Sequence, residues 1–290
     1  MPLLLAALAR CPLRLLHVLG GLLGWLAWLL SGTYRQLHRE NAALAAVPTA
    51  ARRASIADAG RMVVELPRLW LRPRECPIAD PVLWDGEGLV EQALSAGRGL
   101  VLLTPHLGSF EVAAQAYAQR FGHRQPITVL YRPARQQWLR ELEETARARD
   151  HLATAPATLA GVRQLMRALK NGQTIGLLPD QVPPDGMGVW APFFGRDAYT
   201  MTLAAKLVRQ SGATLLAIWG ERLPRGGGYR VQVLPMPHPL PDPAPAGDGA
   251  ALADAQAINR SMEALIALHP AQYLWAYNRY KAPRDGVAGG

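Results

Sequence analysis

The chain is 290 residues long, half apolar and only 18% charged, with a formal net charge of +9 at pH 7. Such a length buries a sizeable core, and the apolar share stops short of a polytopic membrane protein. The positive balance favours anionic partners, but no long Lys/Arg run, zinc-finger spacing or interleaved aromatic–basic motif points to nucleic acid.

The first element is the apolar run from Leu15 to Leu30, LLHVLGGLLGWLAWLL, interrupted only by His17. As a helix it reaches roughly 24 Å, and Cys11 to Arg14 or a snorkelling Arg14 extends it toward the roughly 30 Å of a bilayer core. A cleaved signal peptide is the rival reading. The long apolar region, followed by Ser31-Gly32-Thr33-Tyr34 and then Arg35 and Arg39 without a small-residue cleavage pattern, favours a retained membrane anchor over residues 1–32. Arg35, Arg39, Arg52 and Arg53 follow the run against Arg10 and Arg14 before it, so the positive-inside rule sets the following domain on the cytoplasmic face of a bacterial inner membrane. That domain spans 33–283, with a flexible tail expected over 284–290. Trp25 and Trp28 fit either an interfacial belt or packing within the protein. Cys11 and Cys76 have no redox or zinc spacing, which suits a reducing compartment.

Beyond the anchor, the spacing predicts a helix over Ala42–Leu71, broken by Pro67 and ended by Pro73. A helix over Gly86–Gly97 leads into a strand at Gly99–Thr104, GLVLLT, apolar on both faces as an interior parallel strand must be. Helices over Phe110–Phe121, Arg135–Arg149 and Leu159–Leu169 alternate with strands at Ile127–Tyr131 and Thr174–Leu178. Then follow a helix at Thr202–Gln210, strands at Thr214–Gly220 and Tyr229–Leu234, and a helix at Ala251–Leu268. Strands separated by helices predict an α/β fold, a largely parallel sheet flanked by helices. The short link Pro224 to Gly228 suits an antiparallel return between the last two strands. Pro235 to Gly249 is a Pro-rich surface connection.

The segment GLVLLTPHLGSFEV, Gly99 to Val112, sets a histidine just past a buried strand and a glutamate in the helix after it. In an open α/β sheet, ligands bind beyond the carboxyl ends of the strands, which is where His106 falls. Residues five apart on a continuous helix diverge by about 140° round the axis, so His106 and Glu111 can meet only across an irregular stretch. Gly108-Ser109 supplies one, with Ser109 as N-cap. A carboxylate beside the imidazole can hold it in the tautomer that leaves one nitrogen free to accept a proton from an alcohol. The competing reading is a strand-capping histidine and a solvated first-turn acid.

GLVLLTPHLGSFE resembles the strand–His–x–x–x–x–Asp/Glu block of the glycerolipid and lipid A acyltransferases, and is most similar to the late (lauroyl/myristoyl) lipid A acyltransferase branch. VLYRP at Val129–Pro133, LLPDQ and PFFG between Leu177 and Gly195, and QYLWAYNRYK at Gln272–Lys281 resemble that branch in the same order. The resemblance covers most of the chain. It implies a glycerolipid acyltransferase-like fold, His106 and Glu111 as the catalytic pair, and Arg132 and Asp180 as substrate-binding residues; Arg132 could hold a substrate phosphate or pair with Asp180. It implies O-acyl transfer from a thioester to a hydroxyl of a lipid A precursor. Ser109-Phe110 stands where Asn-Trp is commoner in the branch, and Asn278-Arg279-Tyr280-Lys281 where His-Arg-Arg is commoner, which bears on the acceptor lipid.

No cofactor or metal is expected. There is no Gly-x-Gly-x-x-Gly after the first strand, and only His106, Glu111 and Asp180 could serve as ligands. Ser109 lacks the Gly-x-Ser-x-Gly elbow of a serine hydrolase, so the acceptor's own hydroxyl would attack. The basic surface favours an acyl carrier protein over coenzyme A as donor. The alternatives are acylation of another membrane lipid, a lysophospholipid or glycolipid, and a non-catalytic lipid-binding protein.

Overall fold

The computed structural model describes residues 7–73, 76–78, 82–131, 149–244, 247 and 249–284. In chain order the elements are α1 (Leu13–Leu30), α2 (Gly32–Leu44), α3 (Thr49–Leu71), β1 (Leu83–Asp85), α4 (Glu87–Ala96), β2 (Leu100–Leu103), α5 (Phe110–Phe121), β3 (Ile127–Tyr131), β4 (Leu152–Pro156) and α6 (Leu159–Lys170). They continue with β5 (Thr174–Leu177), β6 (Gly188–Phe193), β7 (Arg196–Met201), α7 (Leu203–Ser211), β8 (Thr214–Arg222), β9 (Tyr229–Pro235) and α8 (Gly249–Leu268). The helix expected over Arg135–Arg149 falls, up to residue 148, outside the described residues, as does the tail beyond Arg284.

Seven strands form one sheet in the order β1-β9-β8-β2-β5-β3-β4. All neighbours are parallel except β8 and β9, which run antiparallel through the turn at Pro224–Gly226. The α/β fold and the antiparallel last pair are therefore as the sequence implied. The central strand β2 is buried on both faces, because its alternate residues enter two different cores. Val101 and Leu103 pack with α6, α7 and α8, whereas Leu100 and Leu102 pack with α4, α5 and the end of α3. Helices on both faces explain why the strand carries no polar alternation.

Local expectations fail in three places. The single helix over Ala42–Leu71 is two: α2 ends at Leu44, Ala46 adopts φ +50°, and α3 starts behind Pro48. Pro48 lacks an N–H and drives Val47 out of the helical region, so it ends one helix and opens the next. Conversely Pro67 does not break α3, which runs on to Leu71. It sits in the last turns, where one backbone bond is lost, and buried Leu69 and Trp70 hold the end of the helix in place. Strands β1, β4 and the β6–β7 hairpin were not anticipated. The hairpin turns at Phe194 and Gly195, with φ +47° and +76°, the paired positive values a tight hairpin needs.

The apolar helix α1 is long and apolar enough to cross a membrane, yet one face lies against α3. Gly20 and Gly24 meet Gly60 so closely that a Cβ at Gly60 would stand 1.9 Å from the Gly20 carbonyl oxygen; small residues let the two backbones touch. Beside this crossing, His17 Nε2 lies 3.3 Å from Glu65. Glu65 also takes Arg222 Nε at 3.1 Å and the Tyr229 hydroxyl at 3.0 Å, and Arg222 pairs with Asp58 as well. The opposite face, Leu15, Val18, Leu22, Leu26 and Leu29, is exposed at helical spacing. Of the arginines after α1, Arg35 donates to the carbonyls of Trp28 and Leu29 at 3.2 and 2.9 Å, and both Arg35 and Arg39 stack on Trp28. They close the carboxyl end of the helix, a structural duty beside any topological one.

Candidate active site

β2 and β5 lie side by side and parallel, Leu103 opposite Leu177, so the loops leaving their carboxyl ends begin next to each other. One brings His106 and the other Asp180, into the crevice where ligands of open α/β sheets bind. The 104–109 loop is pinned from two sides. Leu107 bridges to Tyr273, the Gly108 N–H donates to the Gln272 carbonyl at 2.9 Å, and the Ser109 N–H to that of Gly220 at 2.7 Å. Gly108 has φ +60°, and a Cβ there would stand 2.1 Å from the Gly220 oxygen. Only glycine fits, and it provides the irregular stretch expected between His106 and Glu111. Ser109 occupies the N-cap position of α5, but its hydroxyl makes no capping bond, unlike the expectation.

Asp180 grips His106 twice. Its Oδ2 accepts the His106 backbone N–H at 2.8 Å, and its Oδ1 lies 2.7 Å from Nδ1. On the other side of the ring, Gln181 Nε2 is 3.0 Å from His106 Nε2. A carboxylate only accepts and an amide nitrogen only donates, so both contacts are met by a ring protonated at Nδ1 with its lone pair at Nε2. Asp180 is 1% exposed. Burial pushes its carboxyl up, but the electrostatic attraction of the His106 ring, the two His106 hydrogen bonds and the field of Arg279 outweigh this and hold it below the usual carboxylate range. Arg279, also buried, is fixed by bonds to the Tyr199 carbonyl at 2.6 Å and Thr200 Oγ1 at 2.8 Å.

Two cavities meet at His106. One, of about 280 Å³, is largely apolar, walled by Phe110, Ala114, Val129, Leu130, Leu178 and Val182, and holds Glu111 on its rim from the first turn of α5. The other, of about 220 Å³, is walled by Tyr34, Tyr273 and Tyr277 together with Asp180 and Gln181. Burial foremost, and then the nearby Asp180 charge, push the Tyr273 phenol well above its ordinary value. His106, Asp180 and Glu111 are thus gathered around one site, with Asp180 as the carboxylate hydrogen-bonded to the ring. Arg132 lies outside the described residues; its neighbour Tyr131, the last residue of β3, lines the apolar cavity.

Gln181, Tyr34, Tyr273 and Tyr277 were not singled out from the sequence. Gln181 follows Asp180 within LLPDQ, and both later tyrosines stand in QYLWAYNRYK, so the segments were marked but the side chains were not. Tyr34 had no such signal, since it comes from a helix the periodicity missed.

A parallel α/β sheet carrying a histidine held by a buried aspartate at its carboxyl edge, next to an apolar cavity, defines the class of protein. Residues 2–282 match the family described as bacterial lipid A biosynthesis acyltransferase, and the chain belongs to that family. It is 29% identical over 191 residues to the lipid A biosynthesis lauroyltransferase of Escherichia coli, covering 66% of this chain and 58% of that protein. It is 28% identical over 204 residues to the lipid A biosynthesis palmitoleoyltransferase of the same organism, covering 68% and 61%. To a lipid A biosynthesis acyltransferase of Haemophilus influenzae it is 23% identical over 199 residues, covering 68% and 58%. The chain therefore spans about three fifths of the length of the relatives it matches.

Proposed function

We propose that the protein transfers a fatty acyl group from a thioester, carried by an acyl carrier protein, to a hydroxyl of a lipid A precursor. The observation that carries this reading is His106, its Nδ1 bonded to Asp180 and its Nε2 lone pair between the larger apolar cavity and the tyrosine-walled one. In this reading the apolar cavity takes the acyl chain. The acceptor oxygen attacks the thioester carbonyl as its proton passes to His106 Nε2, and a C–O bond forms. The tetrahedral intermediate then expels the thiolate, the C–S bond breaks, and the imidazolium returns its proton to sulfur. Asp180 keeps the ring in the reactive tautomer and offsets its transient charge, and Glu111 adds a second carboxylate at the cavity rim. Phe110 opens α5, and the first amide of a helix, which has no intrahelical acceptor, can steady the oxyanion. Arg132, directly after β3, is assigned to the acceptor.

Cys11 and Cys76 lie apart from the site residues, so no acyl-enzyme is expected and initial rates should show a ternary complex. The net charge of +9 supports an acidic carrier as donor, and the rate should fall with salt as exposed charges are screened within about 10 Å at 0.1 M. A salt-insensitive reaction with coenzyme A thioesters as better donors would overturn the donor assignment. The exposed face of α1 supports attachment to the inner membrane, with the site on the cytoplasmic face. Mass spectrometry of lipid A from cells with and without the gene tests the acceptor. Loss of one acyl chain from lipid A is expected, and a change confined to phospholipids would refute the reading.

A further inference from the structure

Apart from the two cavities at His106, α1, α3 and the β8–β9 turn line an open cavity of about 600 Å³. Its walls carry Arg14, His17, Asp58, Arg61, Arg222 and Arg225. Arg222 is already matched by Glu65 and Asp58, and Arg61 shares Asp58 at 3.4 Å while donating to the His17 carbonyl at 3.3 Å. Arg14 and Arg225 make no ion pair among the described residues, so four guanidinium groups face two carboxylates. A surplus of positive charge with forked donors, exposed at Arg14 and Arg225, suits a phosphate group.

The backbone brings the two unmatched arginines together. Gly226 sits so close to the first turn of α1 that a Cβ there would be 2.6 Å from Arg14 Cα. Beside it, Arg225 holds φ +58°, a conformation in which glycine or asparagine costs less than arginine.

The position of the cavity selects the kind of phosphate. Val18 lines it and also belongs to the exposed apolar stripe of Leu15, Val18, Leu22, Leu26 and Leu29 along α1. An apolar stripe that starts at a basic cavity matches an amphiphile, with hydrocarbon along the helix and the anionic group at its end. We propose that this cavity is a second ligand site, which seats the phosphate head group of a membrane lipid whose acyl chains run along the exposed face of α1. The proposal stands whether or not His106 is the catalytic base, because it is read by binding and not by turnover.

The test uses the full chain in neutral-detergent micelles, titrated with phosphatidic acid, phosphatidylcholine and inorganic phosphate, with apparent Kd taken from the rise in Tm. Phosphatidic acid should bind tightest. The double variant Arg14→Gln/Arg225→Asn should weaken it about 25-fold, at about fivefold for each basic group near an anionic lipid. Asparagine tolerates the left-handed backbone, and Arg14→Gln alone, which leaves the turn untouched, should cost about fivefold. Arg163→Gln/Arg167→Gln, on the exposed side of α6, removes the same charge elsewhere and should leave Kd within about twofold. Equal losses in the two double variants would reduce the effect to diffuse charge and overturn the site, as would unchanged binding in the Arg14/Arg225 variant. Inorganic phosphate binding as tightly as phosphatidic acid, with the same sensitivity to the variants, would overturn the lipid assignment in favour of a free anion.

Discussion

Two buried carboxylates, Asp180 and Glu65, show how the same burial serves two purposes. Both are at most 1% exposed, and in both burial pushes the carboxyl up while a basic partner more than reverses the shift. Asp180 faces His106, whose side chain keeps 17% exposure and borders two cavities. Glu65 faces chiefly Arg222, 3% exposed and always protonated. An ion pair with a permanent cation can only hold structure; a pair with an imidazole open to a cavity can pass a proton. The two clusters still touch, because Arg222 Nη2 donates to the Gly108 carbonyl at 2.6 Å, two residues from His106.

The largest effects should divide along that line. His106→Ala is expected to cost about 10²–10⁴-fold in kcat with little change in Tm, the share a general base usually contributes. Asp180→Asn should approach that loss, because an amide can hold the wrong tautomer. Glu111→Gln should lose less, keeping a hydrogen-bonding group but not its charge. Near-normal kcat in His106→Ala would make the Asp180 pair structural too and erase the contrast.

Arg222→Met should do the reverse. Stranding Glu65 and Asp58 without their cation should lower unfolding free energy by about 3–5 kcal/mol. The change is to be read from urea midpoints, and a variant of unchanged stability would show the cluster to be expendable. Gly60→Ala comes next: its methyl group must drive α1 and α3 apart, at about 1–3 kcal/mol, and should speed proteolytic cleavage near α1. If stability and cleavage are unchanged, the close crossing is not what seats α1.

The smallest effect sharpens the comparison through pH. A depressed carboxyl stabilises the fold above its unfolded value, and that contribution is lost as pH falls through the folded one. Asp180 and Glu65 should therefore begin to cost stability only below their ordinary values of 3.8 and 4.5. His38 acts earlier. Burial first, then Arg52 and Arg39, lower it from 6.5 to about 4, and its Nε2 lies 2.9 Å from Ser55 Oγ. The unfolded chain takes up this proton before the folded one, so stability should fall as pH drops from 6.5 to about 4. His38→Gln should remove that slope from unfolding curves; an unaltered slope would place the titrating group elsewhere.

The sequence by itself determined what short-range periodicity can encode. The all-apolar β2, the start of α5 at Phe110, the strand Ile127–Tyr131 and the glycine needed between His106 and Glu111 were legible because each depends on neighbours a few residues away. The family was legible too, from four blocks in order. Tertiary structure alone decided which carboxylate takes His106 Nδ1, since Glu111 is five residues away and Asp180 seventy-four, and the pairing of β2 with β5 brings the distant one into reach. It likewise decided that α1 keeps one glycine-lined face on α3 and one apolar face free, and that Arg14 meets the turn at Arg225. Contacts between residues hundreds of positions apart leave no period in a single sequence; they are fixed by which strands pair and how closely two helices can approach.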